Sequence, residues 1–379
     1  MRLTAAAAAL IAASALAVLT VGADRAAAYP QFQLSTDNAR CAACHYAPGG
    51  GGLLNDYGRS EAGDTISRGG DGGFLHGLWE PPSWLQLGAD LRGAAGLRYR
   101  DPTREALLFP MQADVYVRAG TDTLTLNVTG GLRAAAREPR PPLVDRLASR
   151  EHYLMWKPGV GTYLRAGRFF PVFGLRSQDH TAYVRRYLGF GTLEEPYGVA
   201  AGTTGDDWEA HASVFVPSPV RALGAGVRAS GVALYAERRL LADTAVLAGQ
   251  ARVSIGPDDS RALAGVVGKR WFAGAGVMLM GELDLQRQWF DAARAPTRYQ
   301  LASYLGASKT VVHGVMVGAA LHRWQPDLTL RSSRDAFEVN VQYFPRAHLE
   351  LHLLARGSAA GNDLDDPALL TLLQLHYYL

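Results

Sequence analysis

Cysteine is almost missing from this 379-residue chain: Cys41 and Cys44 are the only two. With no second cysteine pair, a structural zinc site lacks its usual four ligands. A redox disulfide of the Cys-x-x-Cys kind sits where a strand enters a helix in a βαβ pattern, and no such pattern is visible. Lysine is scarce too, with Lys157, Lys269 and Lys309 alone among 38 cationic side chains. The formal net charge is only +3, and no basic run or basic helix stands out, which argues against a nucleic-acid partner. Beyond the first 28 residues no stretch reaches the about 20 apolar residues that a transmembrane helix needs.

What is present begins with an export signal. Met1-Arg2 supplies a positive charge, Ala5 to Val21 an apolar run, and Ala26-Ala27-Ala28 small residues for cleavage before Tyr29. No cysteine stands at that boundary, which argues against a lipoprotein. Composition changes again near Pro81-Pro82. The chain therefore divides into a signal peptide (1–28), a glycine-rich segment (29–80) and a long remainder (81–379). The middle segment has few large apolar residues and is too short to build a core alone.

The two cysteines stand in Cys41-Ala42-Ala43-Cys44-His45, the attachment sequence of a c-type haem. Thiols three positions apart form thioethers to both vinyl groups of one haem, and the next histidine becomes the proximal iron ligand. One covalent haem c is expected, held by Cys41, Cys44 and His45; simple oxidation of the pair is the bland alternative. A low-spin electron carrier needs a second axial ligand. No methionine lies between His45 and Met111, so His76 is the nearest candidate, with Met111, Met155, His348 and His352 as alternatives.

From Trp84 to Leu379 the chain reads as strand after strand. Thr123, Thr125 and Asn127 interleave with Leu124, Leu126 and Val128; Glu338, Asn340 and Gln342 interleave with Phe337, Val339 and Val341. This period of two gives each strand one polar and one apolar face. Tight turns are expected at Gly120-Thr121, Pro158-Gly159, Gly205-Asp206, Ala273-Gly274, Ser308-Lys309 and Pro345-Arg346. Longer links fall at 137–150, 171–196, 291–297, 326–334 and 357–367. Short turns alternating with long loops predict an all-β fold, a transmembrane antiparallel β-barrel of about sixteen strands with the haem segment as its plug. A soluble sandwich is the competing fold.

An apolar outer face puts Glu282, Asp284, Gln286 and Gln288, and Gln112, Asp114 and Arg118, in the lumen. The link at 171–196 is expected to be extracellular. It carries Asp179, His180, Glu194 and Glu195, which are potential metal contacts on an otherwise polar surface.

After the haem motif comes Leu53-Leu54-Asn55-Asp56-Tyr57-Gly58-Arg59. The motif, this segment and the barrel together resemble the fused outer-membrane monohaem cytochrome–porins of iron-oxidising bacteria. In that family a Leu-Asn-x-aromatic-Gly-Arg run follows the haem motif. Leu54, Asn55, Tyr57, Gly58 and Arg59 match it position by position. Departures are the Gly49 to Gly52 insertion, tyrosine where phenylalanine is commoner, and missing Phe-Lys and Gly-Tyr elements. The resemblance implies outer-membrane localisation and a haem plug that passes electrons across the membrane. It also implies extracellular ferrous iron or another donor or acceptor, and a periplasmic cytochrome or other redox protein as partner. In that setting Arg59 is a candidate partner for a haem propionate, and Tyr57 and Leu54 are candidates to cover the porphyrin. The plain alternative is a turn packed on the barrel wall.

Three functions follow in order. A one-electron conduit, more carrier than turnover enzyme, comes first. A diffusion porin with a structural or regulatory haem segment comes second. A haem peroxidase comes last, since no distal His and Arg pair stands at recognisable spacing.

Overall fold

The computed structural model describes residues 31, 33–34, 40–132, 146–177, 179–191, 194–217, 229–290, 295–361 and 366–379. The expected signal peptide lies outside them, as do parts of the links at 137–150, 291–297 and 357–367.

Sixteen antiparallel strands close into one barrel. They are β1 (Leu85–Arg100), β2 (Thr103–Gly120), β3 (Leu124–Leu132), β4 (Leu147–Gly159), β5 (Thr162–Arg168), β6 (Tyr197–Thr204), β7 (Trp208–Val216), β8 (Ser230–Leu240), β9 (Ala245–Ile255), β10 (Asp259–Phe272), β11 (Val277–Phe290), β12 (Arg298–Val312), β13 (Val315–Gln325), β14 (Ser333–Arg346), β15 (Leu349–Gly361) and β16 (Ala368–Tyr378). Each strand pairs with its sequence neighbours, and β16 returns to β1 from Asp90↔Tyr378 to Arg100↔Ala368. No edge remains to be covered.

The alternation of side chains decides which face is which. On β7, Glu209, His211, Ser213 and Phe215 are buried while Val214 and Val216 are exposed. On β8, Ala233, Tyr235 and Glu237 are buried while Val232 and Leu234 are exposed. Thr125 and Asn127 face inward, and Leu124 and Leu126 outward. Glu282, Asp284, Gln286, Gln288, Asp114 and Arg118 are all buried, as the sequence predicts for the lumen. An apolar exterior around a polar interior is the inverse of a soluble core, and it is the pattern of a barrel that meets hydrocarbon.

Short links gather at the end that carries both barrel termini, at 160–161, 205–207, 313–314 and 347–348 among others. Three turns lie a few residues from their expected places. Pro158-Gly159 ends β4, Ser308-Lys309 is inside β12, and Pro345-Arg346 ends β14. The reversals occur instead where a residue adopts positive φ: Gly161 (72°), Gly314 (79°) and His348 (69°). Such residues supply the twist that tight hairpins need. At the opposite end the links are longer, although those at 101–102 and 256–258 are short.

The link at 169–196 joins β5 to β6 at the end with the longer links, and its described residues are not plain polar surface; they fold into the lumen. Phe173, Tyr183, Val184 and Leu188 are buried in one cluster with Phe215, Leu263 and Trp324 of the wall. Its short helix α3 (Tyr183–Arg186) packs there. The amides of Gly174 and Leu175 donate to Gln250 Oε1 at 2.6 Å and Glu282 Oε2 at 2.8 Å. Its apolar residues find burial only inward, and the polar wall takes its backbone. Arg356 of β15 pairs with Asp179 of this loop and Glu338 of β14. Removing one member of such a buried set costs about 3–5 kcal/mol.

The N-terminal segment lies across the short-turn mouth. Arg40 donates to Gly205 and Asp206 carbonyls of the β6–β7 turn. On the far side, Arg68 N donates to Phe344 O at 3.0 Å and Ala347 N to Gly69 O at 2.9 Å. Lys269 Nζ donates to Gln33 Oε1 at 2.9 Å, so the segment also meets the inner wall.

Leu234 is 49% exposed at the middle of β8. Leu234→Arg should destabilise the barrel in lipid by about 2–4 kcal/mol. Urea titration in vesicles checks this, and an unchanged midpoint would rule out hydrocarbon at that position.

Candidate functional site

The haem-motif cysteines occupy a single helical turn, α1 (Cys41–Cys44). This helix precedes α3 in the chain, as does α2 (Asp56–Glu61). Both thiols are free and buried. Gln33 Nε2 lies 3.0 Å from Cys41 Sγ. Burial, with the Glu61 and Cys41 charges adding to it, pushes the Cys44 thiol up to about 12. It is therefore protonated at neutral pH. His45 leaves the helix in an extended conformation, its amide still bonded to Cys41 O at 3.0 Å.

Asn55 joins the two helices. Its Nδ2 donates to Ala43 O at 2.8 Å, and its Oδ1 accepts from Gly58 N at 2.9 Å as the N-cap of α2. Gly58 is required at the crossing, because a Cβ there would lie 2.3 Å from Cys44 O. A glycine run then wraps the motif. Gly50, Gly51 and Gly52 have φ of 74°, 75° and 60°. A Cβ on Gly50 would meet Cys41 Sγ at 3.2 Å and His45 Cδ2 at 3.8 Å, while one on Gly51 would meet nothing within 4 Å.

His45, Leu54 and this glycine run form one side of a cavity of about 360 Å³ inside the barrel. The inward loop forms another side through Phe173, Arg176 and His180, and the wall contributes Arg92, Met111 and Tyr116. Arg150, Arg165 and Arg185 also border it. Buried Nε atoms of Arg165 and Arg176 have no hydrogen-bond partner among the described residues. Burial, reinforced by the Glu151 carboxylate, pushes the carboxyl of Glu195, near the end of the inward loop, up to about 7.

These residues fit a haem c in kind. Two thiols one helical turn apart and an adjacent imidazole are the needed donors. His45 faces a space bordered by apolar side chains and by guanidinium groups suited to carboxylates. Neither cysteine borders the cavity; Cys41 lies behind Gly50 and Gln33.

Of the other residues singled out from sequence, only some are gathered here. Tyr57 is 39% exposed. Arg59 is buried, donates to Leu87 O on β1 and lies 5.6 Å from the Phe74 ring centroid. It anchors the segment to the barrel and does not border the cavity, which matches the wall-packing alternative. His76 sits at the mouth, its Nε2 3.0 Å from Tyr377 Oη and its ring 4.6 Å from that of His348. Met155 is fully buried among Tyr153, Tyr163 and Phe169. His180 and Met111 border the cavity, and with His352 they also border a smaller one of about 120 Å³. Of Asp179, Glu194 and Glu195, only Glu195 borders the larger cavity. Among the described residues no three His, Cys, Asp or Glu side chains cluster as a metal site.

No family model matches the chain, and no curated protein matches it in sequence. Solved structures do match in fold. An anion-selective porin from Comamonas acidovorans has a TM-score of 0.61 at 9% identity, covering 78% of this chain and 99% of that one. OprB of Pseudomonas putida has a TM-score of 0.61 at 10% identity, covering 78% and 94%. A loop-deletion mutant of OmpT, an outer membrane protein of Vibrio cholerae, has a TM-score of 0.58 at 12% identity, covering 78% and 99%. The chain has the porin-like barrel fold of outer-membrane proteins.

Asn55→Ala should loosen α1 and α2 together. Loss of an N-cap costs about 1 kcal/mol, so the Gly58 amide should exchange roughly five-fold faster. Hydrogen exchange on detergent-solubilised protein measures this, with strand amides unchanged.

Proposed function

We propose that this chain is an outer-membrane electron conduit, in which one haem c is held inside the barrel between the N-terminal segment and the inward loop. The single observation that carries this reading is that His45, next to the paired thiols, opens onto a cavity enclosed by the barrel wall. A bound haem supplies one-electron chemistry, its iron alternating between ferrous and ferric.

The residues around it divide the work. Cys41 and Cys44 fix the haem covalently and His45 ligates its iron. Phe173, Leu54 and the barrel wall restrict water, which tunes the potential through burial. Arg92 and Arg165 are suited to hold propionates, a task that the resemblance gave to Arg59. A site within the lumen also divides a hydrocarbon belt about 25 Å tall into two shorter transfers. On this reading an electron enters from an extracellular donor such as ferrous iron and leaves to a periplasmic cytochrome or other redox protein, or runs in reverse. The N-terminal segment acts as a plug, and the outer membrane is the location.

The porin-like fold favours a second reading, a diffusion porin whose N-terminal segment gates or braces the pore. Conductance separates the two. Deleting residues 29–80 should leave a folded barrel, since its strands satisfy one another's backbone groups. Its conductance in planar bilayers should rise sharply if the segment is a plug. A full-length protein that already conducts as freely as the deletion would favour the diffusion porin.

The haem itself has a direct test. Protein matured in a host that attaches c-type haem should keep its colour through a denaturing gel, and Cys41→Ala with Cys44→Ala should lose it. Colour retained by the double variant would overturn the assignment.

A further inference from the structure

We propose that His180 is the sixth ligand of the haem iron; the inference rests on the haem reading above. Both imidazoles border the same cavity, His45 from the N-terminal segment and His180 from the inward loop. Sequence order alone favours His76, which the fold carries away to the mouth.

The position of His180 is fixed from both sides. Its neighbours Asp179 and Thr181 are both bound by Arg356 of β15, at 2.5 Å to Asp179 Oδ2 and 2.6 Å to Thr181 Oγ1. Thr181 N also donates to Asp179 Oδ1 at 2.8 Å. Arg356 is in turn held by Glu338, with Nε donating to Oε2 at 2.8 Å. A ligand position pinned this way loses little freedom on binding, which is what preorganises a metal site.

Two rival donors border the same cavity. His376 has both ring nitrogens engaged, Nδ1 at 2.9 Å from Glu350 Oε2 and Nε2 at 3.0 Å from Asp90 Oδ1. The His180 ring makes no side-chain hydrogen bond among the described residues. Met111 borders the cavity from β2 and is the rival that the variants below separate from His180. Ligation by His180 would join the two chain segments that meet inside the barrel, so the iron would hold the loop against the N-terminal segment.

The test uses the purified full-length holoprotein. The wild-type ferric form should be low-spin with two imidazole ligands by electron paramagnetic resonance. His180→Ala should convert it to a high-spin form, and added imidazole should restore the low-spin signal. His180→Met should return a low-spin centre with a thioether–iron charge-transfer band and a higher reduction potential than wild type. His76→Ala should leave spectrum and potential unchanged. If His180→Ala stays low-spin at the wild-type potential, or His180→Met lacks the thioether band, the proposal is overturned. Loss of the low-spin signal in Met111→Leu or His76→Ala, with His180 intact, overturns it equally. Should His180→Ala fail to fold, His180→Met alone decides the matter. A wild-type protein that loses its colour in a denaturing gel refutes the haem reading instead, which keeps the two failures distinct.

Discussion

The pairing of β1 with β16, running from Asp90↔Tyr378 to Arg100↔Ala368, closes the sheet on itself, and the rest of the molecule depends on it. In hydrocarbon an unpaired backbone group costs several kcal/mol, so only a closed sheet can span with strands. Closure then fixes the chemistry of both faces. Leucine and valine face outward at Leu124, Val214 and Leu234, and the period of two sends Thr125, Ser213 and Tyr235 inward. A sixteen-strand barrel encloses more space than its own side chains fill, and that space is lined with groups that need partners.

Both inserted segments answer that need. Gln250 and Glu282 accept amides from Gly174 and Leu175, Arg356 and Glu338 hold Asp179, and Lys269 takes Gln33. Buried charges of this kind are tolerated only when paired. The cavity beside His45 is what remains after the loop and the N-terminal segment have met these demands. Its many arginines follow from the same logic, since the chain has almost no lysine and guanidinium is the more weakly hydrated cation.

The fold was largely legible from residue alternation. The inward set from Glu282 to Gln288 follows from a period of two, and strand number and closure from short turns alternating with longer links, neither of which needs knowledge of distant contacts. Turn positions slipped by a few residues because Pro345-Arg346 resembles a reversal in sequence, while positive φ at His348 makes the real one. The inward loop was not legible. Asp179 and His180 read as surface polarity because their partner Arg356 lies on β15, far along the chain. The candidate site divides the same way. Cys41, Cys44 and His45 are a local motif and declare themselves. His180 reaches the cavity only through a long-range fold. Asn55 and Gly58 stood out by resemblance, but their joining of α1 to α2 is visible only in the helix crossing. Tyr57 and Arg59 matched the same pattern, yet one faces outward and the other anchors to Leu87.

The N-terminal segment is bonded to the rim at well-separated points. Arg40 holds the β6–β7 turn, His313 Nε2 lies 3.2 Å from Asp64 O, and Gly69 meets Ala347 in the β14–β15 turn. In a ring of sixteen strands, β7 and β15 stand diametrically opposed. The segment is therefore a strut across a hoop. A thin cylindrical shell deforms most readily by ovalising, and a strut tied at opposite points resists that mode at the mouth it crosses. A change in the roundness of that mouth would therefore be felt by α1 and α2, which lie between the two anchor points.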